Sequence, residues 1–428
     1  MTNLASLARE KDANATPMET CPVSIQRPET PTVLRAAGIR LPHDQSAMTI
    51  NELQELLDID MQSSTDTYID DVSDLLSETK GVFPNTKLPF LPSIKLLKRL
   101  RLYDGTNKKW KFPKTSGSKQ SERYISDLLN NICSDIAQIE GVNQIRQWNS
   151  NYCNTALEGS PISRKPDIIL VDFQREDTIT WTSVRAVAEV TVQDKEPKRI
   201  SNTVTDKSYI ILTTQPNRVF VPILSFWGVD KHFCARLTVT DRQGQLRSQI
   251  LRLGAQFRES DYLNFLRLLI GLCFAPKDVV GYDPTMETDV HDNVVSIFCG
   301  DKWFKVIRSV FESQSLVGRA TRVWEVEYGK KKFILKDTWI EKSRVTKEYE
   351  LLATLQEIKG VPTFLCGDDV SYKGQSITTG VIRNGIWGDQ DRVRIRRRII
   401  TSSIGDHIAS FSSKKELISV LRDIVISM

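Results

Sequence analysis

Two side chains in the C-terminal third have the types and spacing to face a phosphate group. Lys336 ends the apolar run Phe333-Ile334-Leu335, where an ammonium is held at the rim of a pocket as a point charge for phosphate oxygens. Glu348 lies in the helical stretch VTKEYELLATLQ that follows. From there it can swing toward Lys336, since a partly buried lysine needs a carboxylate partner when no ligand is present. Ahead of the lysine, Val323, Glu325 and Glu327 alternate with Trp324, Val326 and Tyr328, Gly329-Lys330 offers a turn, and Phe333 to Lys336 resume a strand. That pattern predicts two antiparallel strands preceded by a turn at Gly318.

A strand lysine followed by a helix glutamate is the layout of a protein-kinase small lobe. Of the loop pattern G-x-G-x-x-G-x-V only Gly318 is present; Ala320 and Val323 stand where the second and third glycines would be. Wider wording carries more. The succession TDRQGQLRS, GYDPT, LVGRATRVWEV, ILKDTW, KEYELLATL, GVPTF and ASFSSKKELISVLRDIV resembles the fungal-type protein kinase family over roughly residues 120 to 428. Family members commonly read Gly-Arg-Gly-Thr at the loop and Leu-Lys-Asp-Ser-Trp at the lysine strand, so the departures are Ala320 and Thr338. The resemblance implies ATP and Mg2+ as cofactors, Ser/Thr phosphotransfer, and a protein substrate. It places Gly318 and Thr321 over the nucleotide, Lys336 on its phosphates and Glu348 as the residue that orients Lys336.

Phosphotransfer also needs a catalytic aspartate and metal ligands. No His-Arg-Asp loop follows in residues 337–428. The last helix, opened by a Ser413/Glu416 capping box and carrying Leu417, Val420, Leu421 and Ile424 at helical spacing, leads into the catalytic loop in the resembled family. The chain is therefore expected to stop at the threshold of the large lobe, with no catalytic residue of its own and weak nucleotide affinity. His407, after the Gly405-Asp406 turn, and Asp423, on the last helix, are assigned structural roles.

A second set of chemical groups belongs to another class. Pro166-Asp167 precedes a strand, Glu189 lies on the next, and alternation puts Thr191 on the same face as Glu189. Carboxylates so placed can hold a hard divalent metal while a lysine polarises water or phosphate. The spacing looks like the Pro-Asp...Glu-x-Lys nuclease pattern, with Glu122 as a further carboxylate. Threonine sits where the lysine should be, and Lys195, four residues beyond, would have to enter the site. The alternative reading is thus a degenerate, restriction-endonuclease-like domain or an interaction module for protein or nucleic acid, with Asp167 and Glu189 as metal ligands.

The elements that must position these groups form an α+β chain. Residues 1–115 read as a flexible segment with short helices, an acidic stretch (NELQELLDIDM to DVSDLLSETK) preceding a basic one (SIKLLKRLRLYDGTNKKWKFPK). Residues 116–285 read as one α+β domain. It opens on a helix with Ile125, Leu128, Leu129, Ile132, Ile136 and Ile139 in phase and has strands at KPDIILVD, VRAVAEVTVQ, RVFVPILSFWG and HFCARLTVT. SDYLNFLRLLIGLCF, apolar on nearly all sides, is expected to be a buried helix. After a linker (DPTMETDVHDN), residues 295–428 read as the kinase-like small lobe with the first large-lobe helix. Within it DRVRIRRRII is expected to be an edge strand that exposes Arg392, Arg394, Arg396, Arg397 and Arg398.

Composition narrows the classes. The 58 basic and 53 acidic residues leave a net charge of only +5, so the total by itself does not point to nucleic acid. Seven scattered cysteines without a C-x-x-C pair and only four histidines argue against a disulfide framework and a zinc site. The N-terminus lacks an apolar signal region and no apolar run nears the roughly 20 residues needed to span a bilayer. The expected setting is intracellular, cytoplasmic or nuclear, without a membrane.

Overall fold

The computed structural model describes residues 69–106, 109–110, 121–173, 178–193, 198–229, 232–254, 258–344, 346–356, 358, 361–383, 393–402, 405 and 410–427. Lys195, Arg392, His407 and the side chain of Asp423 lie outside the described residues.

The first unit runs β1 (Ile69–Val72), α1 (Ile94–Arg99), β2 (Tyr103–Asp104), β3 (Lys109–Trp110), α2 (Ser121–Glu140), β4 (Arg146–Asn149), β5 (Ile168–Asp172) and β6 (Ala186–Val190). It continues through α3 (Lys198–Thr214), β7 (Phe220–Trp227), β8 (Cys234–Asp241), β9 (Gly244–Ser248), β10 (Leu251–Arg252) and α4 (Glu259–Phe274). The sheet order is β1-β9-β8-β7-β6-β5-β4, with β10 on β8. Strands β4, β5 and β6 form an antiparallel meander, and α3 carries the chain across to β7, which pairs parallel to β6.

The run IILVD explains why this meander is central. Side chains alternate across a strand, so Ile168 and Leu170 enter the core shared with α2 and α4, while Ile169 and Val171 enter a second core beneath α3. All four are essentially inaccessible, each worth about 2 kcal/mol relative to exposure. A strand apolar on both faces needs cover on both, and the helices supply it.

Residues 69–103, read in sequence as part of a flexible segment, are built into the fold. β1 pairs parallel to β9, and Leu75, Leu76, Phe83, Leu96 and Leu97 are buried in the core with α4. Phe83 lies against Gly271 of α4 so closely that a Cβ there would fall 2.4–2.7 Å from its ring. The Arg267 guanidinium donates to the Phe83 carbonyl at 2.9 Å. The short apolar pairs in this stretch lack helical periodicity, which hides their burial from a pattern reading.

The second unit runs β11 (Met286–Thr288), β12 (Val294–Cys299), β13 (Lys302–Glu312), β14 (Arg322–Tyr328), β15 (Lys331–Glu341), α5 (Glu348–Thr354), β16 (Phe364–Asp369), β17 (Ser371–Tyr372), β18 (Gln375–Ser376), α6 (Gly380–Arg383), β19 (Arg394–Thr401) and α7 (Lys414–Ser427). Its seven-stranded sheet is ordered β11-β12-β13-β14-β15-β19-β16. Neighbours are antiparallel throughout. Phe304, Trp324, Val326, Phe333, Leu335 and Ile400 form its core on one face.

Two expectations fail here. β19 is an interior strand between β15 and β16, not an edge, and Arg396, Arg397 and Arg398 are buried rather than exposed. Arg396 and Arg398 share one face and meet two carboxylates there. Asp283 lies 2.7 Å from Arg396 and 2.9 Å from Arg398; Asp337 lies 2.8 Å and 3.1 Å from the same pair. A charge run looks solvated in sequence, but compensating carboxylates distant along the chain let it bury. The segment read as a linker is likewise built in: Asp283 joins this network, Met286–Thr288 forms β11, and Asp292 pairs with Arg185 at 2.8 Å.

Further contacts join the two units. Arg383 makes a buried two-point pair with Asp241, both bonds 2.9 Å. Arg322 donates to the Leu212 and Thr213 carbonyls at the end of α3. Among the described residues no helix is long and apolar enough to cross a membrane.

Candidate nucleotide-facing site

β14 and β15 pair in the register Val323 with Lys336 and Glu325 with Ile334. Directly opposed residues share a face, so Val323, Glu325, Ile334 and Lys336 line the side of the sheet away from the apolar core. Lys336 is 35% exposed there. Its Nζ donates to both oxygens of Glu348, at 2.7 and 2.8 Å. Glu348 is the first residue of α5, where a carboxylate also complements the positive end of the helix.

The neighbours of Lys336 explain the surrounding wording. Asp337 turns to the opposite face and holds Arg396 and Arg398. Thr338 comes within 3.2 Å of the Thr321 hydroxyl and donates to the Arg319 carbonyl at 3.3 Å. Trp339 is buried and lies under the Arg396 guanidinium, 5.5 Å from ring centre to Cζ.

The loop of residues 313–321 between β13 and β14 is closed by Ser313 N–H on the Thr321 carbonyl at 2.9 Å. It rests on the first unit. Leu316 is buried in the core beneath α3 with Val317 beside it. The Gly318 N–H donates to the Arg242 carbonyl at 3.0 Å, while the Arg242 guanidinium donates to the Ser315 and Leu316 carbonyls. Gly318 has φ +101° with open space where a Cβ would go, so backbone conformation rather than crowding requires glycine there. Ala320 has φ +40° and is buried; a left-handed alanine costs about 1 kcal/mol.

One residue of this face was missed by the sequence reading. Counting G-x-G-x-x-G-x-V from Gly318 puts its final valine at position 325, which here is glutamate. Glu325 is buried and bound by Lys332 at 2.8 Å and Arg308 at 2.6 Å. Those two cations hold its carboxyl below the usual carboxylate range. An ionic cluster therefore occupies a position where the pattern has an apolar side chain, two residues from Lys336's cross-strand partner Val323.

An open cavity of about 490 Å³ lies beside the loop, lined by Gly318, Arg319, Trp339, Ile340, Glu341 and Arg394 among others. Lys336 is not part of its wall. Among the described residues no group of three His, Cys, Asp or Glu side chains could hold a metal ion.

The other sequence-derived groups lie in the first unit. The Asp167 carboxylate accepts from the Val190 N–H at 2.8 Å. Glu189 is buried, with Lys207 of α3 3.8 Å from its Oε1. Glu122 is in the first turn of α2. Lys207 was not anticipated, because the pattern looks for its lysine on the strand.

A mixed α+β architecture in which a strand lysine is clasped by the first glutamate of the following helix is consistent with a kinase-like fold. The comparison with protein families agrees: the fungal protein kinase family matches residues 165–428. That is more than half of the 428 residues, and the chain belongs to this family. No curated protein matches it, and no solved structure does.

Proposed function

We propose that the second unit is the nucleotide-facing small lobe of a fungal-type protein kinase, with α7 the first helix of the large lobe. Lys336 contacts the phosphates of ATP, Glu348 fixes Lys336, and Gly318 and Thr321 belong to the covering loop. The observation that carries this reading is the two-point contact from Lys336 to Glu348. ATP bound there would supply the phosphoryl group transferred by the family.

The phosphate end of the site fits this ligand, since Lys336 is partly exposed and an ammonium is a good point charge for phosphate. The covering loop and the strand after it fit it less well. Glu325 and its cations replace an apolar side chain, and the Gly318 N–H is already used by Arg242. Residues 1–428 also contain no His-Arg-Asp sequence. We therefore assign this polypeptide weak Mg-ATP binding and no phosphotransfer by itself.

Thermal-shift titration with Mg-ATP, alongside a radioactive transfer assay, tests both parts. The expected result is a small stabilisation that Lys336→Met abolishes, with no label transferred. Lys336-dependent phosphorylation would overturn the second part; a shift unchanged by Lys336→Met would overturn the first.

A further inference from the structure

Groups that the kinase-like unit does not use converge at the end of β6. β5 and β6 pair Ile168 with Ala188, and one further step of that antiparallel register sets Asp167 opposite Glu189. The Val190 N–H binds Asp167 at 2.8 Å. Glu189 shares its face with Val187, which packs beneath α3, and α3 carries Lys207 into the same space.

The burial is unusual for such groups. The Glu189 side chain is 5% exposed and Lys207 4%. Among the described residues, Glu189 Oε1 is buried without a hydrogen-bond partner, and the Lys207 ammonium lies 3.8 Å away. A buried carboxylate lone pair left unfilled is costly, and such a cost persists where a ligand is to be received. Lys165, two residues before Asp167, and Arg123, next to Glu122 on α2, are exposed.

We propose that Asp167, Glu189 and Lys207 form a Mg2+-dependent phosphodiester site that acts on DNA, with Lys207 entering from the helix to supply the ammonium that the strand position Thr191 lacks. Two protein carboxylates suffice, because Mg2+ keeps several waters and completes its shell with substrate phosphate oxygens. The exposed Lys165 and Arg123 carry the sign of charge that suits the backbone phosphates, which provide most non-specific affinity for DNA.

The reaction is hydrolysis. Mg2+ held by Asp167 and Glu189 would activate a water, which would lose one proton to solvent as its oxygen bonds to phosphorus. One phosphorus–oxygen ester bond breaks, and the leaving sugar oxygen takes up a proton, so one water is consumed and nothing is oxidised or reduced. Lys207 stabilises the charge that builds on the phosphate oxygens as the bond to water forms.

The experiment uses the full chain with supercoiled plasmid DNA and millimolar Mg2+ or Mn2+, with chelator as control. We expect nicking that requires metal and is lost in Asp167→Asn and Lys207→Met, while both variants melt cooperatively near the wild type. Lys415→Met, at an exposed position of α7, should nick like the wild type, which separates this site from a general loss of surface charge. Intact plasmid with both metals, or nicking that survives both substitutions, would overturn the proposal. Should either variant fail to fold, calorimetric titration of the wild type and Glu189→Gln with Mn2+ decides: binding weakened in Glu189→Gln supports the site, and no binding by the wild type overturns it.

Discussion

Lys336 Nζ meets both carboxylate oxygens of Glu348, at 2.7 and 2.8 Å, and so ties β15 to the first turn of α5 across a surface where the two side chains are 35% and 40% exposed. A pair so open to water is worth about 0–1 kcal/mol. Stability alone does not account for it, and its geometry leaves the ammonium within reach of a ligand.

Lys336→Met and Glu348→Gln should therefore each cost no more than about 1 kcal/mol, with the double variant no worse than the sum. Urea unfolding of the four proteins measures this. A coupling of several kcal/mol would make the pair a structural clasp instead.

Glu325→Val tests the departure from the loop pattern on this face. Its two cations, Arg308 and Lys332, have side chains 61% and 59% exposed and stay hydrated when the carboxylate is removed, so folding should change little. Binding of adenosine, which has no phosphates to meet the freed cations, should strengthen by about tenfold, equal to about 1.4 kcal/mol. Calorimetry showing no gain would remove Glu325 as an obstacle.

Ala320→Gly should stabilise the protein by up to about 1 kcal/mol, opposite to the usual effect of glycine, because the residue sits at φ +40°. Chemical denaturation reads the sign. Destabilisation would mean that the methyl packing of this buried alanine outweighs its backbone strain.

The junction network responds to acid. Burial alone would raise the Asp283 carboxyl, but Arg396 and Arg398, helped by Thr285, hold it below its ordinary 3.8. A depressed carboxyl contributes stability that is fully present above the unfolded value and is lost as pH falls through the folded one. The melting temperature should thus carry an Asp283-dependent fall only below about pH 3.8. Asp283→Asn should remove that limb and cost about 3 kcal/mol at neutral pH by leaving two buried guanidiniums short of an anion. Equal acid sensitivity in the variant would contradict this.

How much of this was legible in sequence depends on the range of the interactions. The alternation from Val323 to Tyr328, the turn at Gly329-Lys330 and the in-phase helix of Ile125 to Ile136 are local patterns, and β14, β15 and α2 form where they predict. Lys336 and Glu348 could be paired because twelve residues and one strand end separate them. Arg396 and Arg398 could not be read as buried, since half of their charge balance comes from Asp283, more than a hundred residues earlier. The same holds for Lys207, which reaches Glu189 from the crossover helix rather than from the neighbouring strand position. Leu316 gives no sign in sequence that it will anchor its loop on the other unit, because a lone apolar residue has no period.

The central claim is that Lys336 faces nucleotide phosphate, and calorimetric titration of the full chain with Mg-ATP, in parallel with Lys336→Met, tests it most directly. The account predicts weak, saturable binding by the wild type that the substitution abolishes while the protein remains folded. Binding of equal strength by both proteins, or none by the wild type at tens of millimolar nucleotide, would contradict it.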